Sequence, residues 1–300
     1  MTDKQRVDPA QPARVDLPED ETSNRRRRRA RRSVIFGALL ISGVGAAGPA
    51  PAQELRVLSD SSIFDSGLGL VEDSSELDGM DPQGLMTDTS LSEFGENAGG
   101  TTTGEVAAGY GYLRGRSFLD EGYALLFGSA GTRVEAEYSD GVVIDRPGMT
   151  GEPGNRTALI SIVQAESGVT GSDDSSSSLV AFASVALTIA NQQRSFSGSW
   201  RTDSSTDDFP DEPLAVSFDF VYGQPFTISG RIVLNTSVGA DGGSASGTAL
   251  AQFPASIHWM GMTDLAEDET LTGTIDWSQP APVITADGVF RDRFETAAQE

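Results

Sequence analysis

Residues 133–144, Arg133-Val134-Glu135-Ala136-Glu137-Tyr138-Ser139-Asp140-Gly141-Val142-Val143-Ile144, decide the fold class. From Arg133 to Tyr138 polar and apolar side chains alternate with a period of two, which suits a strand that buries one face and wets the other. Ser139-Asp140-Gly141 has turn chemistry, and the β-branched residues after it suit a second strand, so the stretch predicts a β-hairpin.

The same pattern recurs on both sides. Further short strands are predicted over residues 123–127, 157–166, 179–189, 194–200, 214–222, 225–235, 245–257 and 271–277. Residues 179–190 are Ala-rich enough to suit a helix as well. Between the strands lie small polar loops, GSDDSSSS at 171–178, TDSSTDDFPDEP at 202–213 and GADGGSASG at 239–247, whose residues favour exposed tips. Eight to ten short strands without βαβ alternation predict an all-β fold, an antiparallel β-sandwich of jelly-roll-like or Ig-like kind, over residues 105–285.

Residues 53–104 read differently. They are rich in Asp, Glu, Ser and Gly and poor in aromatics, so the expectation is a flexible acidic leader, disordered because it has too little apolar surface to offset ordering entropy. Residues 1–52 carry the layout of a secretory signal with a long charged N-region: the arginine block 25–32, the apolar stretch 34–47, then Ala50-Pro51-Ala52. Cleavage before Gln53 is expected, because fourteen apolar residues fall short of the roughly 20 that a spanning helix needs. An uncleaved signal segment is the one expected route to a membrane. Arg31-Arg32 within the block also has the form of a twin-arginine export pair. Residues 286–300 read as a polar tail.

Charge narrows the partners. The chain has 44 acids and 21 bases; residues 1–52 hold six of the acids and ten of the bases, which leaves 38 acids and 11 arginines in the remainder, a net charge of −27. Such a field repels nucleic acid and anionic lipid and attracts cations. There is no Cys, which excludes disulfide scaffolds and thiol chemistry. His258 is the single histidine, and no G-x-S-x-G surrounds a serine, so a Ser-His-Asp device has no support and no catalytic residue is named.

Three constellations stay open. Asp203, Ser205 and Asp207, with Asp208, Asp211 and Glu212 close behind, offer oxygen ligands at calcium-loop spacing; Asp208 sits where an EF-hand needs Gly, and a solvated acidic turn is the plain alternative. Trp200, Trp259 and Trp277 have the flat apolar faces on which sugars stack, though strand positions favour core packing. Glu135 and Glu137 share a strand face at a separation that glycoside hydrolysis tolerates, and a solvated outer face is the simpler reading. Calcium is therefore the candidate cofactor, and cations or extracellular glycans are the candidate partners.

Residues 224–259, QPFTISGRIVLNTSVGADGGSASGTALAQFPASIHW, resemble the closing strands of exported bacterial β-sandwich proteins of the PEP-CTERM-associated kind. The likeness extends over about 130 residues from Ser129. It implies a Gly/Ser-rich sandwich with a role in the envelope or extracellular matrix and brings no catalytic residues. The chain departs from that family's anchoring tail, so sorting and anchoring are not carried over. Residues 287–295 are also similar to a Phe-x-x-x-Phe-Glu motif at the ends of some exported proteobacterial proteins. The expected function is a non-enzymatic structural or adhesive module outside the cytoplasm, with a carbohydrate-binding module and a glycoside-active enzyme as the alternatives.

Overall fold

Residue 140 is not a turn. The computed structural model describes residues 54–80, 84–162, 167–211, 213–263 and 265–273, without the side chains of 254–256. In it, Ser129–Asp145 is one continuous strand. Ser139, Asp140 and Gly141 pair with Ser229, Ile228 and Thr227 of a neighbouring strand. The predicted hairpin fails because the period of two never breaks: Tyr138, Asp140, Val142 and Ile144 all point inward and are buried. Asp140 fills a core position that the sequence disguises as a loop.

Fifteen strands are described: β1 (Glu54–Asp65), β2 (Gly69–Gly79), β3 (Leu85–Phe94), β4 (Ala98–Gly109), β5 (Tyr112–Leu126), β6 (Ser129–Asp145), β7 (Pro153–Ile162), β8 (Gly168–Asp173), β9 (Ser177–Ile189), β10 (Gln192–Arg201), β11 (Ser205–Asp207), β12 (Leu214–Val221), β13 (Pro225–Ala240), β14 (Gly243–Thr263) and β15 (Thr270–Thr272). One sheet runs β11-β10-β9-β13-β6-β1-β2, with β15 extending the β1 side of β6. The other runs β12-β7-β14-β5-β4-β3, with β8 beside β14. Every pairing is antiparallel, and the two sheets pack face to face as a β-sandwich. Residues 179–189 are strand, not helix: Leu179, Ala181, Ala183, Val185, Leu187 and Ile189 form an unbroken inward row.

The expectation of a flexible leader over residues 53–104 is overturned for the described part of that stretch. β1 lies between β2 and β6, β4 lies between β3 and β5, and the proposed boundary at 104/105 falls inside β4. Leu55, Val57 and Ile63 are in the core. Much of the rest of this region's inner face is built from hydroxyls, with Ala98 also in the core. Ser59 and Thr89 share a hydrogen bond of 2.6 Å, Ser61 and Thr89 one of 2.9 Å, and Ser61 donates to Thr132 at 2.9 Å. Ser117 donates to the Thr132 carbonyl at 3.0 Å and lies 2.9 Å from the Thr236 hydroxyl. Buried hydroxyls that satisfy one another escape the cost of desolvation, so a polar stretch becomes core. Gly104 completes the contact, because any Cβ there would strike Ser59, Val134 and Thr132.

At the far end from the β1–β2 turn, Phe218, Phe220, Tyr222 and Phe226 pack as an aromatic cluster with centroids 4.9–6.2 Å apart. Arg156 lies over Phe220 and donates to Glu269 from Nε at 3.0 Å, and Tyr222 donates to the same carboxylate at 2.5 Å. The Glu269 side chain is 0% exposed. This fastens the segment before β15 to β7. The signal residues 1–52, Gln53, Glu212, Trp277 and the tail 286–300 lie outside the described residues.

Candidate functional site

The strand order gathers six turns at one end of the sandwich. They are residues 66–68, 95–97, 127–128, 174–176, 202–204 and 241–242. Short backbone hydrogen bonds join them: Leu125 N–H to Asn97 C=O at 2.6 Å, Gly242 N–H to Leu126 C=O at 2.5 Å, and Asp241 N–H to Ser176 C=O at 2.9 Å. Gly128 sits so close to the Asn97 carbonyl that a side chain has no room. The predicted loop 239–247 is thereby reduced to a two-residue turn between β13 and β14.

Two carboxylates clamp these turns. Asp65 is 1% exposed, and its Oδ1 accepts the N–H groups of Gly67 (2.7 Å) and Leu68 (3.0 Å) while its Oδ2 accepts those of Asn97 (2.5 Å) and Ala98 (3.0 Å). One side chain thus ties the β1–β2 turn of one sheet to the β3–β4 turn of the other. These N–H groups, led by that of Asn97, hold the Asp65 carboxyl below its ordinary pKa. Asp174 does the same between the β8–β9 and β13–β14 turns, accepting from Ser176 N–H at 3.0 Å and Ser244 N–H at 2.8 Å, and its pKa is likewise lowered, first by the Ser176 N–H.

On this rigid frame stand exposed apolar side chains. Twelve large hydrophobic residues are exposed among the described residues, and seven of them, Phe64, Leu68, Leu70, Phe94, Leu125, Leu126 and Phe127, lie at or beside these turns. Phe127 is 63% exposed and Leu126 54%. Leu126 holds φ at 55°, a left-handed conformation that costs a non-glycine residue about 1–2 kcal/mol. Beside Phe127 lies an open depression of about 550 Å³ lined by Ser129, Ser175, Ser176, Ser178 and Asp241.

The residues singled out by sequence fall elsewhere. Trp200 and Trp259 are 7% and 2% exposed and belong to the core, Trp259 meeting the Tyr138 ring edge-on at 6.4 Å. Neither offers a sugar-stacking face, so that reading of these two residues is corrected; Trp277 lies outside the described residues. Asp203 stands in the β10–β11 turn, and Ser205 and Asp207 in β11, where alternation turns them away from Asp208. The Asp208 carboxylate is taken by the Ser197 N–H. The structure therefore does not bring Asp203, Ser205, Asp207, Asp208 and Asp211 together as a cage, and among the described residues no group of three or more His, Asp or Glu side chains could hold a metal ion. Glu212 lies outside the described residues.

Glu135 and Glu137 share the outer face of β6. Glu135 is bridged by Arg133 at 3.1 Å and Arg231 at 2.7 Å, while burial pushes the Glu137 carboxyl up. Arg56 and Glu76 extend this band with an ion pair of 2.7 Å. Both acids stand on a sheet face rather than across a cleft, and Glu135 is held there by two ion pairs. His258 is half-buried, and burial lowers its pKa.

Sequence reading missed the turn end. Leu125-Leu126-Phe127 reads as the close of a core strand, and only the crossing of the chain from one sheet to the other at Gly128 exposes it. The class defined by these observations is an all-β sandwich with exposed apolar side chains gathered at one end. No family model matches the chain, and neither a curated protein nor a solved structure is similar to it.

Proposed function

We propose that this chain is an exported, non-enzymatic adhesive or structural module of the cell envelope or extracellular matrix, and that it makes contact through the hairpin-tip end. The observation that carries this reading is that seven of the twelve exposed large apolar side chains among the described residues lie at or beside the turns of one end. Fully burying a Leu or Phe side chain is worth about 1.5–3 kcal/mol, so several together supply adhesion once a partner covers them. The turns are already fastened by Asp65 and Asp174, so little ordering entropy opposes contact. Export is supported by the order of charge, apolar run and small residues in 25–52.

The test is retention of residues 53–300 on an octyl-agarose surface at low salt. A Leu126→Ser/Phe127→Ser variant should elute early, while a Met80→Ser/Met260→Ser variant, changed at exposed apolar residues away from the tip, should elute like the parent. Equal retention of all three would remove the tip from the account.

A further inference from the structure

We propose that the partner of the hairpin tip is a basic, apolar protein segment, one in which Leu, Ile or Phe side chains are flanked by Lys or Arg. This rests on the adhesive reading of the same end and names what it takes. The six tip turns contain Glu96, Asp174, Asp203 and Asp241 and no Lys or Arg. The turns themselves thus bring only negative charge to the apolar side chains, and Arg201, at the end of β10 beside the 202–204 turn, is a cation that borders them.

That rim selects among occupants. A second copy, docked tip to tip, would bring like charges together, and anionic headgroups would meet the same repulsion. A neutral lipid surface would accept Leu126 and Phe127 but would draw Glu96 and Asp241 toward a low-dielectric medium with no counter-charge, which is costly. A cationic flank resolves both demands: its apolar residues cover Leu126 and Phe127, and its ammonium or guanidinium groups reach Asp241 and the hydroxyls of Ser175, Ser176 and Ser178 around the depression beside Phe127. Asp174 is occupied by its own turn, and Asp203 stands at the β10–β11 edge of the sheet beside Arg201, so Asp241 and Glu96 carry the attraction.

The probe is a short fluorescent amphipathic Leu/Lys peptide, titrated with residues 53–300 and followed by anisotropy. Binding should weaken about tenfold in Leu126→Ser/Phe127→Ser, as expected for loss of central anchors. It should weaken several-fold in Glu96→Gln/Asp241→Asn and on raising salt from about 0.05 to 0.3 M. Asp78→Asn/Asp88→Asn removes the same charge from exposed sites away from the tip and should leave binding unchanged. Equal weakening by the two charge variants would overturn the proposal, since the peptide would then be sensing net charge. If the apolar variant alone loses binding, and the protein floats with phosphatidylcholine vesicles equally well with or without Glu96→Gln/Asp241→Asn, the partner is neutral lipid: the basic-partner proposal falls and the adhesive tip stands. If Leu126→Ser/Phe127→Ser binds as well as the parent, the adhesive reading of the tip falls too.

Discussion

A single aspartate shows how an acidic stretch becomes structure. Asp65 looks like one more charge in a solvated segment, yet its two oxygens accept four backbone N–H groups from turns of both sheets. Only the ionised carboxylate accepts on both oxygens without a proton in the way, and so its folded pKa lies below the unfolded value of about 4. The sign follows from linkage: the stabilisation is complete above the unfolded pKa and is lost as pH falls through the depressed folded one. Asp65→Asn, which cannot carry the charge, should melt well below the parent at pH 7, and the gap should narrow as pH is taken below about 4. Thermal melts across that range decide it; a gap independent of pH would mean that the clamp is not electrostatic.

At the scale of elements, the decisive matter is β1 to β4. A chain beginning at Glu105 removes β1–β3 and most of β4, leaving β6 without β1 and β5 without most of β4. It should lose the single cooperative urea transition expected of residues 53–300, whereas a truly flexible leader would leave midpoint and slope unchanged. Alternation made much of the sandwich legible in the sequence, as in residues 133–138 and 179–189, where every second side chain is apolar. It failed where the inner face is polar. Ser59, Ser61, Thr87 and Thr89 occupy positions at which a pattern search expects Val or Leu; Ser59 and Ser61 bond Thr89, and Ser61 bonds Thr132, across 28 to 71 residues, while Thr87 donates to Ser75. Asp140 failed in the same way, read as a turn because a core position carries a charge. The tip was illegible for the opposite reason: Leu125, Leu126 and Phe127 have core composition, and only topology exposes them. Trp200 and Trp259 followed the ordinary rule that strand tryptophans pack inward.

For the molecule as a whole, the proposed contact surface is one end of the sandwich. Residues 53–300 carry net charge −27, a field that opposes the approach of like-charged surfaces, while seven of the nine exposed Leu and Phe residues among the described residues lie at or beside the turns of one end. The opposite end is closed instead by the aromatic cluster and the Arg156–Glu269 pair. The absence of Cys from the chain allows one unique label at a time. The most direct measurement places an environment-sensitive fluorophore at Phe127→Cys or, separately, at Met80→Cys, and records emission as each protein binds the amphipathic Leu/Lys peptide. The account predicts a blue shift at position 127 and none at position 80. A shift at position 80 with none at 127 would contradict it.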